Sequence, residues 1–460
     1  MQRMTSPPAD DQELTYPALP KRVVSVLRTL ADAGHDVALV GGSVRDQVLD
    51  GHAAGDWDAA TSAHPEQVAG LFSGAAWENR FGTVTVGSDP AVEITSYRAE
   101  GDYADRRRPS DVRFGVSLDE DLARRDFTIN AMAWVPIDLD AGRGRLVDPY
   151  GGRRDLADRR LRAVGPPRDR FAEDALRLVR AARFAGRFGL HIDPDTEAAI
   201  VELAPTVGTV SAERIRDELL RMLTLDRAPS GAILLLERLG LLGIVLPELA
   251  ALRGIPQSKA LPGDALDHTL RAVDAAPRAL DPALRLAALL HDLGKATTLR
   301  DGHFFGHEKV GADLASEVLR RLRVPRALAD RVVGAIRHHM YDYEPAWTDT
   351  AVRRFVRRLH GVDRELLFDL RRVDNAASGV GPAGDANQAE LERRIDEQLA
   401  AQPGLLVHRR LAIDGHDLQR ELGMEPGPEV GALLDRLTEL VLDDPALNER
   451  TTLLDLARQR

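Results

Sequence analysis

The stretch LVGGSVRDQVLDGHAAGDWDAAT, Leu39 to Thr61, decides how the amino-terminal part of the chain is read. It begins within DVALV (residues 36–40), an apolar run that predicts a short buried strand stopping at Gly41-Gly42. A glycine pair there lets backbone amides come close to a bound phosphate. The stretch ends on GDWDAAT, an extended segment in which Asp56 and Asp58 stand one residue apart. Side chains at i and i+2 of a strand share a face, so two such carboxylates repel unless a cation lies between them. Magnesium takes one or two carboxylates together with phosphate oxygens. Alone, a D-x-D is commonly a solvated turn and a Gly-Gly an ordinary bend. Their order along the chain, with further motifs downstream, points instead to a site for metal and phosphate. GGSVRD lacks the G-x-G-x-x-G spacing of a dinucleotide fold.

Outward from this stretch, Val23, Val24, Val26, Leu27 and Leu30 recur with helical period and predict a helix over 21–34. PEQVAGLF predicts a helix led by Pro65. GTVTVGS and AVEITSYR alternate as a strand pair around a Gly-Ser-Asp-Pro turn, and Glu93 in the second offers a third carboxylate. Three carboxylates beside a glycine pair suit two-metal phosphoryl transfer. DYADRRRPSDVRFG predicts a polar loop and NAMAWVPI a strand, completing an α/β unit with a mixed sheet near Asp148-Pro149. From Asp155 to about Leu399 helical period dominates, with ASGVGPAGDANQ as a Gly-rich break and a helix pair through Pro-Gly-Pro near the end.

Composition sets the outer bounds. The 460 residues are 44% hydrophobic and 29% charged, which predicts several globular domains. With no cysteine, disulfides and thiolate metal sites are excluded, and any metal is held by His, Asp or Glu. The run AILLLERLGLLGIVL is broken by Glu237 and Arg238, so no membrane segment is expected. The polar, Pro-rich opening reads as a disordered tail over residues 1–20, not a secretory signal, and a cytoplasmic location is expected. A net charge of −11 counts against a general nucleic-acid binder, but Gly151–Arg187 holds eleven Arg and no Lys against five acids. That segment offers phosphate contacts to RNA.

In order, GGSVRD (41–46), DWD (56–58), RRDFTINA (124–131), DPYGGRRDL (148–156), RFAEDALRLVRAARFAGRFGL (170–190), SAERIRDELLRML (211–223) and LAIDGHDLQRELGMEPGPEVG (411–431) resemble the class II tRNA nucleotidyltransferases and their bacterial poly(A) polymerase relatives. The resemblance covers nearly the whole chain. It implies an α+β protein: a polymerase-β-like nucleotidyltransferase head over 21–155, a helical neck and RNA-binding body over 156–262, and a helical, tRNA-contacting tail over 386–460. It makes Asp56 and Asp58 the holders of catalytic Mg2+, with Glu93 beside them. Gly41, Gly42, Arg45 and Asp46 hold the nucleotide, and Arg124, Asp126 and Asn130 line its sugar and phosphates.

EDALRLVR offers a chemistry for base choice, although by spacing alone its Asp-Arg pair reads as an ordinary i,i+3 ion pair on a solvated helix. Asp174 and Arg177 are three apart and are expected to share a helix face, with Arg180 one turn on. A carboxylate accepts from an exocyclic amino group while a guanidinium donates to a ring acceptor, so cytosine and adenine fit one Asp-plus-Arg edge and uracil and guanine do not. The resemblance assigns this motif the same task. Expected partners are CTP, ATP and the tRNA 3′ end. EITSYRAEGDYADRRRPSDV (93–112) resembles the flexible loop of CCA-adding members, and RFGTVTV (80–86) lacks the basic signature of poly(A) polymerases, which favours CCA addition. Poly(A) polymerase and CC-adding enzyme stand as alternatives.

Residues 263–385 resemble the HD-superfamily phosphohydrolases. His268, the pair His291-Asp292, and Asp374 match a four-ligand pattern. His307 and His338 fall where binuclear members place further ligands, with His339 the adjacent alternative, and Lys295 would contact phosphate. A divalent transition metal such as Ni2+ or Mn2+ is implied there. A stand-alone HD phosphohydrolase with a nucleotide-binding head, and a non-catalytic RNA scaffold, are the readings from other classes.

Overall fold

The computed structural model describes residues 12–51, 57–73, 75–78, 83–88, 90–100, 112–257, 259–380, 382–401 and 411–459. Asp56, and most of the polar loop expected over DYADRRRPSDVRFG, lie outside them. The chain divides into two compact units, Met1–Pro247 and Glu248–Arg460.

The first unit is built on an eight-stranded sheet. In chain order its strands are β1 (Gln12–Thr15), β2 (Val37–Val40), β3 (Trp57–Thr61), β4 (Ala76–Glu78), β5 (Thr83–Val86), β6 (Val92–Ser96), β7 (Ala133–Asp138) and β8 (Arg143–Val147). Their order across the sheet is β1-β8-β7-β2-β3-β6-β5-β4. β3 and β6 run parallel and the other neighbours antiparallel, giving the mixed sheet expected. β2 is buried along its whole length, as its unbroken apolar run requires. The helix Lys21–Asp32 turns Val23, Val26, Leu27 and Leu30 inward at the spacing that predicted it.

Residues 12–20 differ from the expected disordered tail. Gln12–Thr15 pairs antiparallel with β8. Tyr16 is 2% exposed, packs edge-on against Trp134 and donates its hydroxyl to the Ser43 carbonyl. Burial of an aromatic ring contributes on the order of 2 kcal/mol and adds to the ladder pairing that holds this short strand.

Past the sheet the described part of the unit is helical apart from one short parallel strand pair, Arg160–Leu161 with His191–Ile192. Leu176–Phe188 buries Leu178, Val179, Ala181, Ala182 and Ala185, ends at Gly189 in the left-handed region, and packs on Ser230–Arg238. Among the described residues the second unit is helical apart from one short strand pair, Leu299–Arg300 with His303–Phe304. Helices Ala265–Ala275, Ala283–Leu290, His307–Arg321, Arg326–His338 and Arg364–Ser378 pack on one another. The expected Gly-rich break is shorter than its composition implied: a helix resumes at Pro382 and runs to Ala401, because Pro at a helix start meets no missing donor. Near the end, Gly415–Leu422 and Pro428–Asp443 form the expected helix pair.

Candidate functional sites

The first site opens where β2 ends. Gly41 has φ +67°, and a Cβ there would lie 3.2 Å from Asp58 Oδ2 and 3.3 Å from Arg125 Nη1. Only glycine takes this turn and lets the strand pass so close to a carboxylate. Helix Gly42–Asp50 starts at once. Asp58 on β3 is in register with Glu93 on β6. Neighbours in register on parallel strands project from one face, about 5 Å apart, so the two carboxylates stand side by side. They form an all-oxygen donor pair of the kind magnesium takes.

Both carboxylates line a cleft of about 820 Å³. Its walls carry ten arginines, no lysine, and four acids, Asp58, Glu93, Asp126 and Asp174. In a chain of net charge −11 this concentrates positive charge where a polyphosphate would sit.

A buried network holds the cleft wall. Ser117 caps the helix Leu118–Ala123 with a reciprocal Glu120 bond, and the chain leaves that helix at Arg124. Arg124 and Arg125 both bind buried Asp121. Arg45 lies over Phe188 at 4.5 Å and donates to Asp46 Oδ1 and to Asn130 Oδ1, each at 2.8 Å. Asn130 in turn donates to Asp126, which also accepts from Arg180 at 2.8 Å. Burial alone would raise the Asp126 pKa, but Arg180 and Asn130 outweigh it and hold the carboxyl below its usual range. Arg180 reaches Glu218 at 3.3 Å, and Glu218 binds Arg183 at 2.5 Å.

Asp174 and Arg177 both line the cleft, but not from one helix face. Asp174 is extended (φ −149°) in a break between Pro167–Glu173 and Leu176–Phe188, because its carboxylate accepts from the Leu176 amide. An Asp side chain that binds a nearby amide competes with helix continuation. The cation on Asp174 is Arg214, bidentate at 3.0 and 2.6 Å. Arg177 donates to Glu173 and to the Arg124 carbonyl. Arg214 lies in the SAERIRDELLRML motif, but linear spacing gives no sign that it meets Asp174.

The second site lies in the carboxy-terminal unit. Asp264 caps the helix Ala265–Ala275 and so sets His268. His291 and Asp292 follow the helix Ala283–Leu290, and Gly294 lets their turn approach closely: a Cβ there would be 2.2 Å from the His307 carbonyl oxygen. Asp374 comes from Arg364–Ser378. Two sets of side chains offer ligand atoms within 4.8 Å of one another: His268, His291 and Asp374, and His291, Asp292 and His339. The rings of His307 and His339 are 5.5 Å apart, and those of His291 and His339 5.3 Å. The expected His338 is thus replaced by its neighbour. His338 ends its helix half-buried, whereas His339 is fully buried in the cluster. One residue turns a helical side chain by about 100°.

The donor chemistry fits a cation. His291, His307 and His339 each place Nδ1 2.7–2.9 Å from a backbone carbonyl oxygen, which fixes Nδ1–H and leaves the Nε2 lone pair to act as a ligand. The buried Nε2 atoms of His291 and His339 have no hydrogen-bond partner, and the first lies 3.1 Å from Asp292 Oδ2. A lone pair facing a carboxylate repels unless a cation lies between them. Burial, then the neighbouring His291, pushes the His339 pKa down to about 3. Lys295 binds Asp292 at 2.6 Å, so it sits at the site as expected.

Models of known families match three segments: "Poly A polymerase head domain" over 37–162, "Probable RNA and SrmB- binding site of polymerase A" over 189–252, and "HD domain" over 266–377. The A-adding tRNA nucleotidyltransferase of Deinococcus radiodurans is 37% identical over 437 residues, 87% of this chain and 90% of that one. The CCA-adding enzyme of Geobacillus stearothermophilus is 33% identical over 434 residues, 94% of each. The crystal structure of the Bacillus stearothermophilus CCA-adding enzyme in complex with CTP superposes with a TM-score of 0.68 at 30% identity, covering 95% of this chain and 97% of that one. With this coverage at both ends of the molecule, the chain belongs to the family of the CCA-adding and A-adding tRNA nucleotidyltransferases, built on a poly(A) polymerase head and carrying an HD domain.

Proposed function

We propose that this protein completes the 3′ end of tRNA without a template, adding CCA from CTP and ATP. The observation that carries the reading is Asp58 in register with Glu93 at the mouth of an arginine-lined cleft. A nucleotidyltransferase of this family depends on divalent metal, and Asp58, Glu93 and Asp56 would hold Mg2+. Bound there, the metal supplies charge at the reacting phosphate and the leaving pyrophosphate. Gly41 brings the backbone to the site, and Arg45, Arg124 and Arg125 offer donors to phosphate oxygens. Asn130, fixed between Arg45 and Asp126, faces the sugar. Asp174, steadied by Arg214, and Arg177 present the edge that accepts the amino group of C or A. A wrong base leaves a buried group unpaired, at about 1–3 kcal/mol per contact. The exposed arginines of Gly151–Arg187, such as Arg153 and Arg154, supply phosphate contacts, and the residues beyond 386 further tRNA surface. A cytoplasmic location is consistent with this reading.

The test is to incubate the chain with all four nucleotides and tRNA ending before CCA, after CC, or complete, then to sequence the 3′ ends. CCA on the first and A on the second are expected, both abolished by Asp58→Ala. Extension of the CC-ended tRNA alone would favour the second reading, addition of only the terminal A, which the 37% identity to an A-adding enzyme supports. Long A-tails would make it a poly(A) polymerase.

For the second unit we propose a metal-dependent phosphohydrolase centred on His268, His291, Asp292 and Asp374, with His307 and His339 as further ligands to Ni2+ or Mn2+. Terminal or 2′,3′-cyclic phosphates on RNA ends are the expected substrates. Hydrolysis of bis-p-nitrophenyl phosphate and of a cyclic phosphate, restored to chelator-treated protein by either metal, tests this. Absence of both turnover and bound metal would leave only a scaffold.

A further inference from the structure

The cluster contains a cation of its own. Lys259 is one of four lysines in the chain and precedes the helix that carries His268. Its Nζ lies 2.9 Å from His268 Nε2 and 3.2 Å from Asp374 Oδ1. A lysine ammonium has three donors and no acceptor, so it meets both atoms as donor. His268 differs here from His291 and His339, whose buried Nε2 atoms have no hydrogen-bond partner. An imidazole nitrogen has a single in-plane lone pair. While that of His268 accepts from Lys259 it is closed to a metal, and an ammonium beside Asp374 repels a divalent ion bound to the same oxygen. Lys295 stands in the same relation to Asp292, at 2.6 Å, so each carboxylate of the cluster has a lysine against it.

We propose that Lys259 is a built-in competitor for the metal: its ammonium takes the His268 and Asp374 positions, and a divalent ion binds there only when the side chain swings out. The Lys259 side chain is 23% exposed while those of His268 and Asp374 are 0% and 8%, so of these three the lysine is the one open to solvent. Once displaced it remains at the mouth of the site, free to meet a substrate phosphate. The inference rests on reading the cluster as a metal centre.

The experiment titrates chelator-treated, full-length protein with Ni2+ alone by calorimetry, in an Asp58→Ala, Glu93→Ala background that removes the two paired head carboxylates. Lys259→Gln is expected to bind Ni2+ about tenfold more tightly than its parent, the scale on which residues beside a metal's ligands shift affinity. Lys259→Arg, which keeps the cation, should stay within about threefold. Without metal, Lys259→Gln should also melt below its parent, because Asp374 loses one of its two cations and keeps only Arg371 at 3.4 Å, and Ni2+ should raise its midpoint more. If the parent binds Ni2+ and Lys259→Gln binds no tighter, the competitor role is overturned and the metal centre stands. If no variant binds Ni2+, the metal centre itself falls and the inference with it.

Discussion

Glu218→Gln tests whether the cleft wall is held by its buried charges. Glu218 is 2% exposed and binds Arg183, whose side chain is 5% exposed, at 2.5 Å. It also reaches Arg180 at 3.3 Å, and Arg221 at 3.2 Å from a half-exposed position that adds little. Glutamine keeps the shape and one acceptor but removes the charge, leaving Arg183 as a buried cation facing Arg180. Breaking a buried pair costs about 3–5 kcal/mol, and the retained hydrogen bond returns about 1 kcal/mol, so a loss of about 3 kcal/mol is expected. For a unit of this size that lowers the melting midpoint by about 6–12 °C. Tryptophan fluorescence follows it, since three of the four tryptophans (Trp57, Trp77 and Trp134) lie in the first unit. The double variant Glu218→Met with Arg183→Met should recover more than half of the loss, because matched apolar replacement of a buried pair is close to neutral. CTP incorporation by the single variant should fall about tenfold as Arg180 shifts on Asp126. A midpoint within about 2 °C of the parent, or a double variant no better than the single, would refute the reasoning.

Asp126→Asn should be destabilising by about 2 kcal/mol at pH 7. The Asp126 carboxyl titrates below its unfolded value of about 3.9, so its stabilisation is full above that pH and is lost as pH falls toward the folded value. Denaturant melts of parent and variant should therefore converge as pH drops below about 4, and a gap independent of pH would count against the pairing. Gly41→Ala places a side chain at φ +67° and 3.2 Å from Asp58 Oδ2. A cost of about 1–2 kcal/mol is expected in a thermal melt, with CTP incorporation down at least about tenfold. His339→Ala should weaken metal binding about 10–100-fold by equilibrium dialysis, while His338→Ala should leave it within about twofold.

What the sequence made legible was what depends on local period and motif order. The helix Lys21–Asp32, the strand Val37–Val40 and the pair Thr83–Val86 with Val92–Ser96 follow from spacing that one buried face imposes. The motifs around Gly41, Asp58, Asp126 and Asp174 marked residues that line one cleft. What stayed hidden depends on partners distant in sequence. Gln12–Thr15 is polar and flanked by prolines, and it is a strand because Arg143–Val147 offers an edge. Arg214 and Glu218 sit on a helix 40 and 38 residues from the partners they bind. Asp174 left its expected helix because its own side chain captures an amide. Choosing His339 over His338 needs a rotation about the helix axis, and Lys259 belongs to no motif.

The parallel alignment of β3 with β6 also governs when the Asp58–Glu93 pair can form. It is the one parallel pair in the main sheet among the described residues, and Asp58 and Glu93 are 35 positions apart in the chain. Parallel neighbours cannot be joined by a hairpin. The intervening helix and strands must therefore dock, and the entropy of closing that long loop must be met, before the two acids come together. A nascent chain that has cleared the ribosome only through its D-x-D has no such partner for Asp58, so the carboxylate pair waits for Val92–Ser96 to be made, while the strands Ala133–Asp138 and Arg143–Val147 of the same sheet follow later still.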